Sequence, residues 1–439
     1  MEISGGQNME ESRRAFYQSL LHREIAPALG CTEPAAAALT AACAAACLGQ
    51  IPEEITVRTS QYILKNAMNV GIPGIGMTGL DIAVALGALS ASPKKELMIL
   101  SQISAEEKRM AKSLTEQGKV RIELAPTEEK VYIEVRVQAG GETAKAVTAE
   151  THKNIIYVEK NGMIFYQKER KKKKEGESAK EPYTVTLEEI LDFSERVKLE
   201  NLEFLREVIR MNREIALEGI NRRYGLQVGK NLMDGTENGL VGQDAANYAA
   251  AMTAAAADAR MAGCEKPVMS AAGSGNQGLT ATIPIAAIGE KLGMEEEKIL
   301  RALALSILLT VHTKHYLGRL SVLCGCSISS AMGVACGIVF MLGGTYAQMT
   351  WAVNSMVADI SGVVCDGAKP GCALKIATAV QSAVRAANMA LNGSGADSHD
   401  GIVHINAEKT LENLGILGNW GMKDANRIIL DLMLEKQKI

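Results

Sequence analysis

The spacing of apolar residues divides the chain into two parts. Between residues 54 and 167, short segments alternate apolar and polar positions, which is typical of β-strands with one buried face. From Thr186 onward, apolar residues recur at helical spacing almost throughout. The predicted strands are Glu54–Ser60, Val120–Ala125, Val131–Val137, Thr143–His152, Ile155–Glu159 and Met163–Gln167. The predicted helices are Leu187–Arg213, Glu237–Ala262, Thr280–Leu292, Glu295–His312, Ser327–Leu342, Tyr346–Val364, Ala373–Asn392, Glu408–Leu417 and one near Lys423–Lys436.

The N-terminal region begins with a pattern that predicts an amphipathic helix over Glu11–Ala28. The next three residues break it. Thr32 is the predicted N-cap of a second, alanine-rich helix, because Glu33 and Pro34 suit a first helical turn. Two further elements are predicted downstream, a glycine-rich loop over Asn66–Gly79 and a helix over Leu80–Leu89.

A basic segment separates the two patterns. Residues 168–182 (KERKKKKEGESAKEP) are interleaved with acids and contain no aromatic residue, so a solvated loop is favoured over the alternative of a nucleic-acid patch. We place the domain boundary there. The predicted fold is an α+β N-terminal domain of residues 1–182, whose first helices carry Cys31, plus a mainly α-helical C-terminal domain of residues 183–439.

Composition restricts the classes of function. Of 439 residues, 47% are apolar and only 4% aromatic, which favours closely packed helices of small side chains. A net charge of −3 gives no bulk electrostatic case for nucleic acid or a membrane surface. The longest apolar runs, Pro34–Leu48 and Ile328–Leu342, are shorter than the roughly 20 residues that span a bilayer. Nine irregularly spaced cysteines indicate free thiols, and we expect a reducing cytoplasm.

Three cysteines in the last third of the chain are candidate ligands. Cys365 and Cys372 bracket a loop with two glycines and a proline, and Cys324 lies upstream in a glycine-punctuated apolar segment. Thiolates that converge from two loops suit an iron–sulfur cube with one open iron. Such an iron is a Lewis acid that can hold a substrate.

A second candidate site is the glycine-rich turn in MSAAGSGNQGLTATIP, residues 269–284. Gly273, Ser274, Gly275 and Asn276 precede a predicted helix, whose N-terminal N–H groups favour a carboxylate or phosphate. A plain glycine-rich linker is the alternative. A dinucleotide fingerprint needs a preceding strand, and the segment before this turn has a helical pattern, so we exclude that class.

Cys31 lies at the entry to the second helix, a position that lowers a thiol pKa and favours thiolate. The alternative is that Cys31 is only a small buried residue. His315, His399 and His404 lie in no metal-binding spacing, and we assign them no role.

Six motifs together resemble a known family. LGCTEPAAAAL, KNAMNVGIPG, DARMAG, GSGNQGLTATIP, GRLSVLCG and CDGAKPGCALK occur in one order over nearly the whole chain. They resemble the L-cysteine desulfidase group, relatives of the iron–sulfur L-serine dehydratase alpha chain. The resemblance implies a [4Fe–4S] cluster held by Cys324, Cys365 and Cys372 in the all-α domain, with Cys326 as the alternative first ligand.

The same resemblance implies a substrate site. Relatives in the dehydratase branch carry a Ser-His-Thr segment where this chain has Cys31 and Thr32, which suggests that Cys31 is the base and Thr32 contacts the substrate. Side chains that would bind the substrate carboxylate, beside the glycine-rich turn, are Lys65, Asn66 and Arg260.

The implied activity is β-elimination of L-cysteine to pyruvate, ammonia and sulfide by a lyase. L-serine dehydratase or another amino-acid lyase is the alternative enzyme, and a non-catalytic iron–sulfur sensor is the alternative from another class. The expected partner is a small amino acid, with no nucleic acid, no membrane and possible assembly as a homo-oligomer.

Overall fold

The computed structural model describes residues 10–168, 183–318 and 320–436. Its N-terminal part combines helices with one mixed sheet. The helices are α1 (Glu11–Glu24), α2 (Thr32–Leu48), α3 (Gln61–Ala67), α4 (Leu80–Ser90) and α5 (Ala105–Glu116), with a 3-10 turn over Pro93–Met98. The strands are β1 (Ile25–Ala28), β2 (Glu54–Thr59), β3 (Val120–Leu124), β4 (Tyr132–Ala139), β5 (Glu142–Ala149), β6 (Ile155–Lys160) and β7 (Met163–Gln167).

Six of these strands form one sheet, in the order β3-β2-β4-β5-β6-β7. Only the β2–β3 pair is parallel, and the remaining neighbours are antiparallel. The alternating pattern therefore located every strand of this sheet to within a few residues. The turn between β6 and β7 contains Asn161 and Gly162 with positive φ, as expected for a tight hairpin.

Helices α2 and α4 cover this sheet with small side chains. All the alanines of α2 except Ala46 are almost completely buried, and Thr40 shares a buried hydrogen bond of 2.6 Å with Thr148 of β5. A Cβ on Gly87 of α4 would overlap the carbonyl of Ala38, so the two helices touch backbone to backbone. This close approach is possible only where side chains are absent or minimal.

The C-terminal part is mainly helical. Its helices are α6 (Leu187–Arg196), α7 (Leu205–Asn221), α8 (Val228–Asp234), α9 (Ala245–Met261), α10 (Gly275–Lys291), α11 (Glu296–Leu317), α12 (Ala331–Met341), α13 (Tyr346–Ile360), α14 (Cys372–Leu391), α15 (Ala407–Ile416) and α16 (Ala425–Glu435). Single turns add to these over Leu199–Leu202, Cys326–Ser330 and Leu417–Gly421. One further strand, β8 (Val268–Ala271), precedes α10.

Two predicted helices of the C-terminal part differ most from the observed ones. The segment 187–213 is two helices, because the chain leaves helical geometry at Val197 (ψ 139°) and again at Lys198 (ψ 137°). The helix predicted from Glu237 begins only at Ala245. Asp244 caps it by accepting a hydrogen bond of 2.7 Å from the Asn247 N–H.

The first predicted helix is also too long. It ends at Glu24, and Ile25–Ala28 instead pairs antiparallel with β8 as a separate two-stranded sheet. The segment before the GSGNQG turn is therefore a strand, and the helical pattern that we used to exclude a dinucleotide site was misleading. The exclusion still holds, because the Rossmann unit needs parallel strands.

Both ends of the described chain pack across the predicted division. Tyr17 and Leu21 of α1 belong to the core of the helical part, and Leu430 of α16 belongs to the core around the sheet. The predicted boundary, between residues 182 and 183, falls at the edge of residues 169–182, which the structure does not describe. The basic segment of residues 168–182 therefore lies almost wholly outside the described residues. The split into domains 1–182 and 183–439 stays a prediction.

Within the described ranges, no helix has the length and apolar character needed to cross a membrane.

Candidate functional site

The two cysteine-bearing loops are joined by a short antiparallel bridge between Leu323 and Val364. Its hydrogen bonds run from Cys324 N to the Val363 carbonyl, 2.9 Å, and from Cys365 N to the Val322 carbonyl, 2.6 Å. Because residues that flank a bridge on either strand point to its same face, Cys324 and Cys365 share one face. The bridge thus brings together cysteines that lie far apart in sequence.

Cys372 joins them as the first residue of α14. Its N–H donates to the Lys369 carbonyl at 2.9 Å, and its thiol lies 3.6 Å from the Gly367 carbonyl. A Cβ on Gly367 would overlap the Lys65 carbonyl, so this loop is pressed against α3. Charges on Cys324 and Cys365 both act on the Cys372 sulfur, which makes the three predicted ligands electrostatic neighbours.

The four thiols of the two loops differ in acidity. A hydrogen bond from the Cys326 thiol lowers the pKa of Cys324 to about 6, and Ser327 Oγ lies 3.4 Å from the same sulfur. The same hydrogen bond to Cys324, together with burial, holds the pKa of Cys326 well above its ordinary value. Burial raises the pKa of Cys365, and it raises that of Cys372 to about 12. Cys324 is therefore the most acidic thiol of the set, and Cys326 is its hydrogen-bond donor.

The candidate donors of the two loops are cysteine thiols, the ligand type that iron–sulfur clusters require. Among the described residues, no group of three or more His, Cys, Asp or Glu side chains is arranged to hold a metal ion. A single zinc would draw all its thiolates to about 2.3 Å from one point. In a [4Fe–4S] cube each cysteine thiolate binds a different iron, so the cysteine sulfurs lie farther apart than they do around a single ion. Cys324 is buried, and Cys365 and Cys372 are half-buried. The carboxylate of the second cysteine loop, Asp366, pairs with Lys375.

Lysines surround these loops. Lys65 Nζ donates to the Cys365 carbonyl at 2.8 Å, and Lys375 Nζ donates to the Val364 carbonyl at 3.0 Å. Lys314 is buried, and burial lowers its pKa while the nearby Cys365, Cys326 and Cys324 oppose that shift. Lys65, which we expected at the substrate carboxylate, thus already holds the backbone of the second cysteine loop.

Cys31 reaches the same place from the N-terminal part. It packs in a small apolar cluster with Val70, Met261, Ala368 and Cys372. The N-cap of α2 is Cys31 and not Thr32, because Cys31 has extended backbone angles while Thr32 already lies in the helix. Cys31 and the second cysteine loop therefore pack in the same apolar cluster.

The acidity of Cys31 differs from the sequence expectation. Burial raises its pKa, the positive charge of Arg260 opposes that shift, and the carboxylate of Glu33 adds to it. Desolvation of a thiolate outweighs the favourable helix N-terminus. The expectation of a lowered pKa at Cys31 is wrong for this environment.

Arg260 connects Cys31 to the glycine-rich turn. Its Nη1 donates to Asn276 Oδ1 at 2.8 Å, and its Nη2 donates to the carbonyl of Gly30, next to Cys31. A Cβ on Gly275 would lie 2.5 Å from Arg260 Cζ, so a glycine is required for the guanidinium to lie against the start of α10. The predicted carboxylate residues Arg260, Gly275 and Asn276 are thus one unit.

The turn has the form expected of an anion site. Gly273 has φ +77°, and Ser274 is the N-cap of α10 without a side-chain cap hydrogen bond. The first backbone hydrogen bond of the helix runs from Gly278 N to the Ser274 carbonyl at 3.0 Å. Within the described chain, the preceding N–H groups of α10 have no backbone acceptor, which leaves donors for an anion.

Two residues near the site differ from the sequence expectation, since Gln277 was missed and Asn66 was assigned to the carboxylate. Gln277 is buried beside Gly325, where a Cβ would lie 3.1 Å from Gln277 Oε1 and 3.0 Å from Lys314 Nζ. Asn66 Nδ2 donates to Glu33 Oε1 at 2.9 Å, which leaves an acceptor oxygen that does not suit a carboxylate. The GSGNQG motif contains Gln277, so its position was a usable signal.

A family model described as serine dehydratase alpha chain matches residues 94–431. The chain belongs to this family. The match includes both cysteine loops, Arg260 and the turn of residues 273–276, whereas Cys31, Lys65 and Asn66 precede its start. Membership of the serine dehydratase alpha chain family supports the broader of the two groups that the motifs resemble, and not the desulfidase group specifically.

Curated relatives extend over the whole chain. A UPF0597 protein of Oleidesulfovibrio alaskensis is 41% identical over 421 residues, which is 96% of this chain and 98% of the relative. A UPF0597 protein of Bacteroides fragilis is 42% identical over 430 residues, 98% of this chain and 100% of the relative. A UPF0597 protein of Clostridium perfringens is 39% identical over 426 residues, which is 97% of this chain and 99% of the relative. The region before residue 94, which carries Cys31, is therefore shared with these relatives.

Proposed function

We propose that this serine dehydratase-like protein is an iron–sulfur-dependent lyase that eliminates sulfide from L-cysteine to yield pyruvate and ammonia. The observation that carries the proposal is that Cys31 and Cys372 pack in one apolar cluster, with the positive charge of Arg260 acting on the Cys31 sulfur. This arrangement would combine a base, a cation for a carboxylate and a candidate cluster ligand at one site.

The start of α10 would bind the substrate carboxylate. Its free N–H groups, the positive helix end and the Arg260 guanidinium all favour a negative charge there. Because Arg260 also holds Gly30, the carboxylate would be fixed relative to Cys31.

Cys31 would accept the α-proton. The sulfur takes the proton as a thiolate, and the electron pair left on the α-carbon expels the β-substituent as hydrosulfide. When bound by Cys324, Cys365 and Cys372, a [4Fe–4S] cluster supplies one Lewis-acidic iron at this site. The released aminoacrylate tautomerises and hydrolyses in water to pyruvate and ammonia.

L-serine dehydration is the second candidate. It is favoured by the matching family description, serine dehydratase alpha chain. The residues would act in the same way, with hydroxide in place of hydrosulfide as the leaving group. A non-catalytic iron–sulfur sensor would need no carboxylate site, and the arrangement of Arg260 with Asn276 favours an enzyme.

The test is anaerobic reconstitution of the full chain. Iron and inorganic sulfide are counted per chain, and both L-cysteine and L-serine are assayed for pyruvate, with sulfide release followed for L-cysteine. We expect about four irons per chain, as in a cube, and preferred turnover of L-cysteine. Turnover of L-serine alone would establish the dehydratase, and a bound cluster with neither activity would favour the sensor.

A further inference from the structure

Three buried polar atoms at the site have no hydrogen-bond partner in the described chain. They are Asn66 Oδ1, Gln277 Oε1 and Arg260 Nε, on side chains of residues that are 9%, 4% and 5% exposed. Few buried polar atoms in proteins lack a partner, and at a functional site such an atom is a place where a ligand can supply one. Two acceptors and one donor match a ligand with both a donor and an acceptor end.

The hydrogen bond to Glu33 determines which end of Asn66 is free. Only the amide nitrogen can donate to the Glu33 carboxylate, so Oδ1 points away from it. An amide oxygen accepts from an ammonium group and repels a carboxylate. Asn66 therefore presents an acceptor, and the charge of Glu33 behind it favours a cation.

Asn66 lies next to the candidate chemistry. A Cβ on Gly367, in the second cysteine loop, would lie 3.4 Å from Asn66 Cα. Glu33 follows Cys31 by two residues, and its charge acts on the Cys31 sulfur, as does the opposite charge of Arg260. The charges of two groups thus act on the Cys31 sulfur. One is Arg260, which suits a carboxylate, and the other is Glu33, which with Asn66 forms a pair that suits an ammonium group.

We infer that Asn66 Oδ1, oriented by Glu33, accepts a hydrogen bond from the α-ammonium group of the substrate. This restricts the site to α-amino acids over 2-hydroxy acids of the same shape. Asn66 is a binding residue and Glu33 a positioning residue. The inference rests on the proposed function for the location of the substrate carboxylate, and it deepens that proposal by naming the residues that recognise the α-ammonium group.

The test is direct binding of two small ligands to the full-length, anaerobically reconstituted protein by calorimetry. L-alanine and L-lactate share a carboxylate and a methyl group and differ in the α-ammonium or α-hydroxyl. Neither carries a β-leaving group. We expect L-alanine to bind at least about 10-fold more tightly than L-lactate, since a site built to hydrogen-bond a polar group rejects the analogue that lacks it.

Two variants and a control locate the effect. Asn66→Leu should weaken L-alanine about 10-fold or more and L-lactate less than about 3-fold, because a neutral hydroxyl gains little from this acceptor. Glu33→Gln keeps the size of the side chain but removes its charge and the fixed orientation of Asn66, so it should also lower the preference. Asn388→Leu, the same change at an exposed position of α14, should leave both affinities unchanged.

Several outcomes would overturn the inference. Wild-type protein that binds both ligands equally, or binds neither, has no ammonium site. Thermal unfolding shows whether the Asn66→Leu variant is folded. If the folded variant retains the preference for L-alanine, or loses affinity for both ligands to the same degree, another residue recognises the ammonium group. A Glu33→Gln variant that keeps the full preference removes the positioning role. The Asn66-dependent preference without elimination of L-cysteine or L-serine would leave the ammonium site in place and reject the lyase proposal.

Discussion

At the scale of single residues, the surroundings of each cysteine matter more than its place in the sequence. Cys31 is the N-cap of α2, and Cys324 lies just before the turn over Cys326–Ser330, so both are near a helical N-terminus, which favours thiolate. The pKa of Cys324 is lowered to about 6 because Cys326 and Ser327 donate to its sulfur. The pKa of Cys31 is raised because burial is offset only in part by Arg260. Helix position alone therefore does not predict which thiol is ionised.

Changing Cys31 should separate a base from a cluster ligand. The variant Cys31→Ser should keep iron near the wild-type amount and lose about 100-fold or more in turnover, the size of a general-base effect. Changing Cys365 or Cys372 to Ser should remove iron and activity together. The measurements are iron per chain and pyruvate formation. Iron loss in Cys31→Ser would make Cys31 a ligand, and full activity would make it a packing residue.

The pH dependence of the reaction follows from the same environment. Because burial raises the pKa of Cys31 above the ordinary thiol value of 9.0, the thiolate fraction in the free enzyme grows as pH increases toward that pKa. We expect kcat/KM to rise about tenfold per pH unit from pH ~7 to ~9, without a plateau. A profile measured over this range that is flat above about pH 7 would contradict a Cys31 base with a raised pKa.

The Cys324–Cys326 pair offers a test of which sulfur is the first ligand. Cys326→Ala should retain iron, whereas Cys324→Ala should lose it. In the iron-free protein, Cys326→Ala should also raise the pKa of Cys324, because its principal hydrogen-bond donor is gone. Ultraviolet titration of thiolate absorbance measures this shift. Retention of iron by Cys324→Ala and its loss from Cys326→Ala would reverse the assignment.

At the scale of elements, the pattern of apolar and polar residues within each segment predicted most of the strands and helices. Strands β2 to β7 and most C-terminal helices were found from the sequence pattern, and β2 and β4 show the alternation of buried positions with more exposed ones on which that prediction depends. Strands β1 and β8 were missed, since each has four residues and is stabilised by a partner more than 200 residues away in sequence. The convergence of Cys324 with Cys365 likewise depends on a bridge that no local pattern shows.

The contact of α2 with α4 should depend on Gly87. The variant Gly87→Ala places a methyl group against the Ala38 carbonyl, and overpacking of this kind typically costs about 1–3 kcal/mol. The control is Gly362→Ala, where nothing lies within 4 Å of the added Cβ. Thermal unfolding compares the two. Equal midpoints for both variants and wild type would show that the two helices can separate without cost.

At the scale of the whole molecule, the site lies where the two parts of the chain meet. Lys65 Nζ of α3 donates to Cys365, Lys130 Nζ donates to the Leu320 carbonyl at 2.9 Å, and Gly71 N donates to the Met261 carbonyl at 2.9 Å. Cys31 and the predicted ligands thus belong to opposite sides of one interface. A site assembled in this way exists only when both sides are present.

The crossing of the chain ends makes a further prediction about assembly. Residues 1–168 contain α1, whose Tyr17 packs in the helical core, and residues 183–439 contain α16, whose Leu430 packs in the sheet core. Each fragment alone would expose an apolar face that the other covers. We therefore expect the two fragments to form a stable complex when co-expressed, and to aggregate when expressed separately. Size-exclusion chromatography and iron content after reconstitution are the measurements. A separate fragment 183–439 that is monomeric, folded and loaded with iron would contradict this expectation, because the helical part would then be an independent domain.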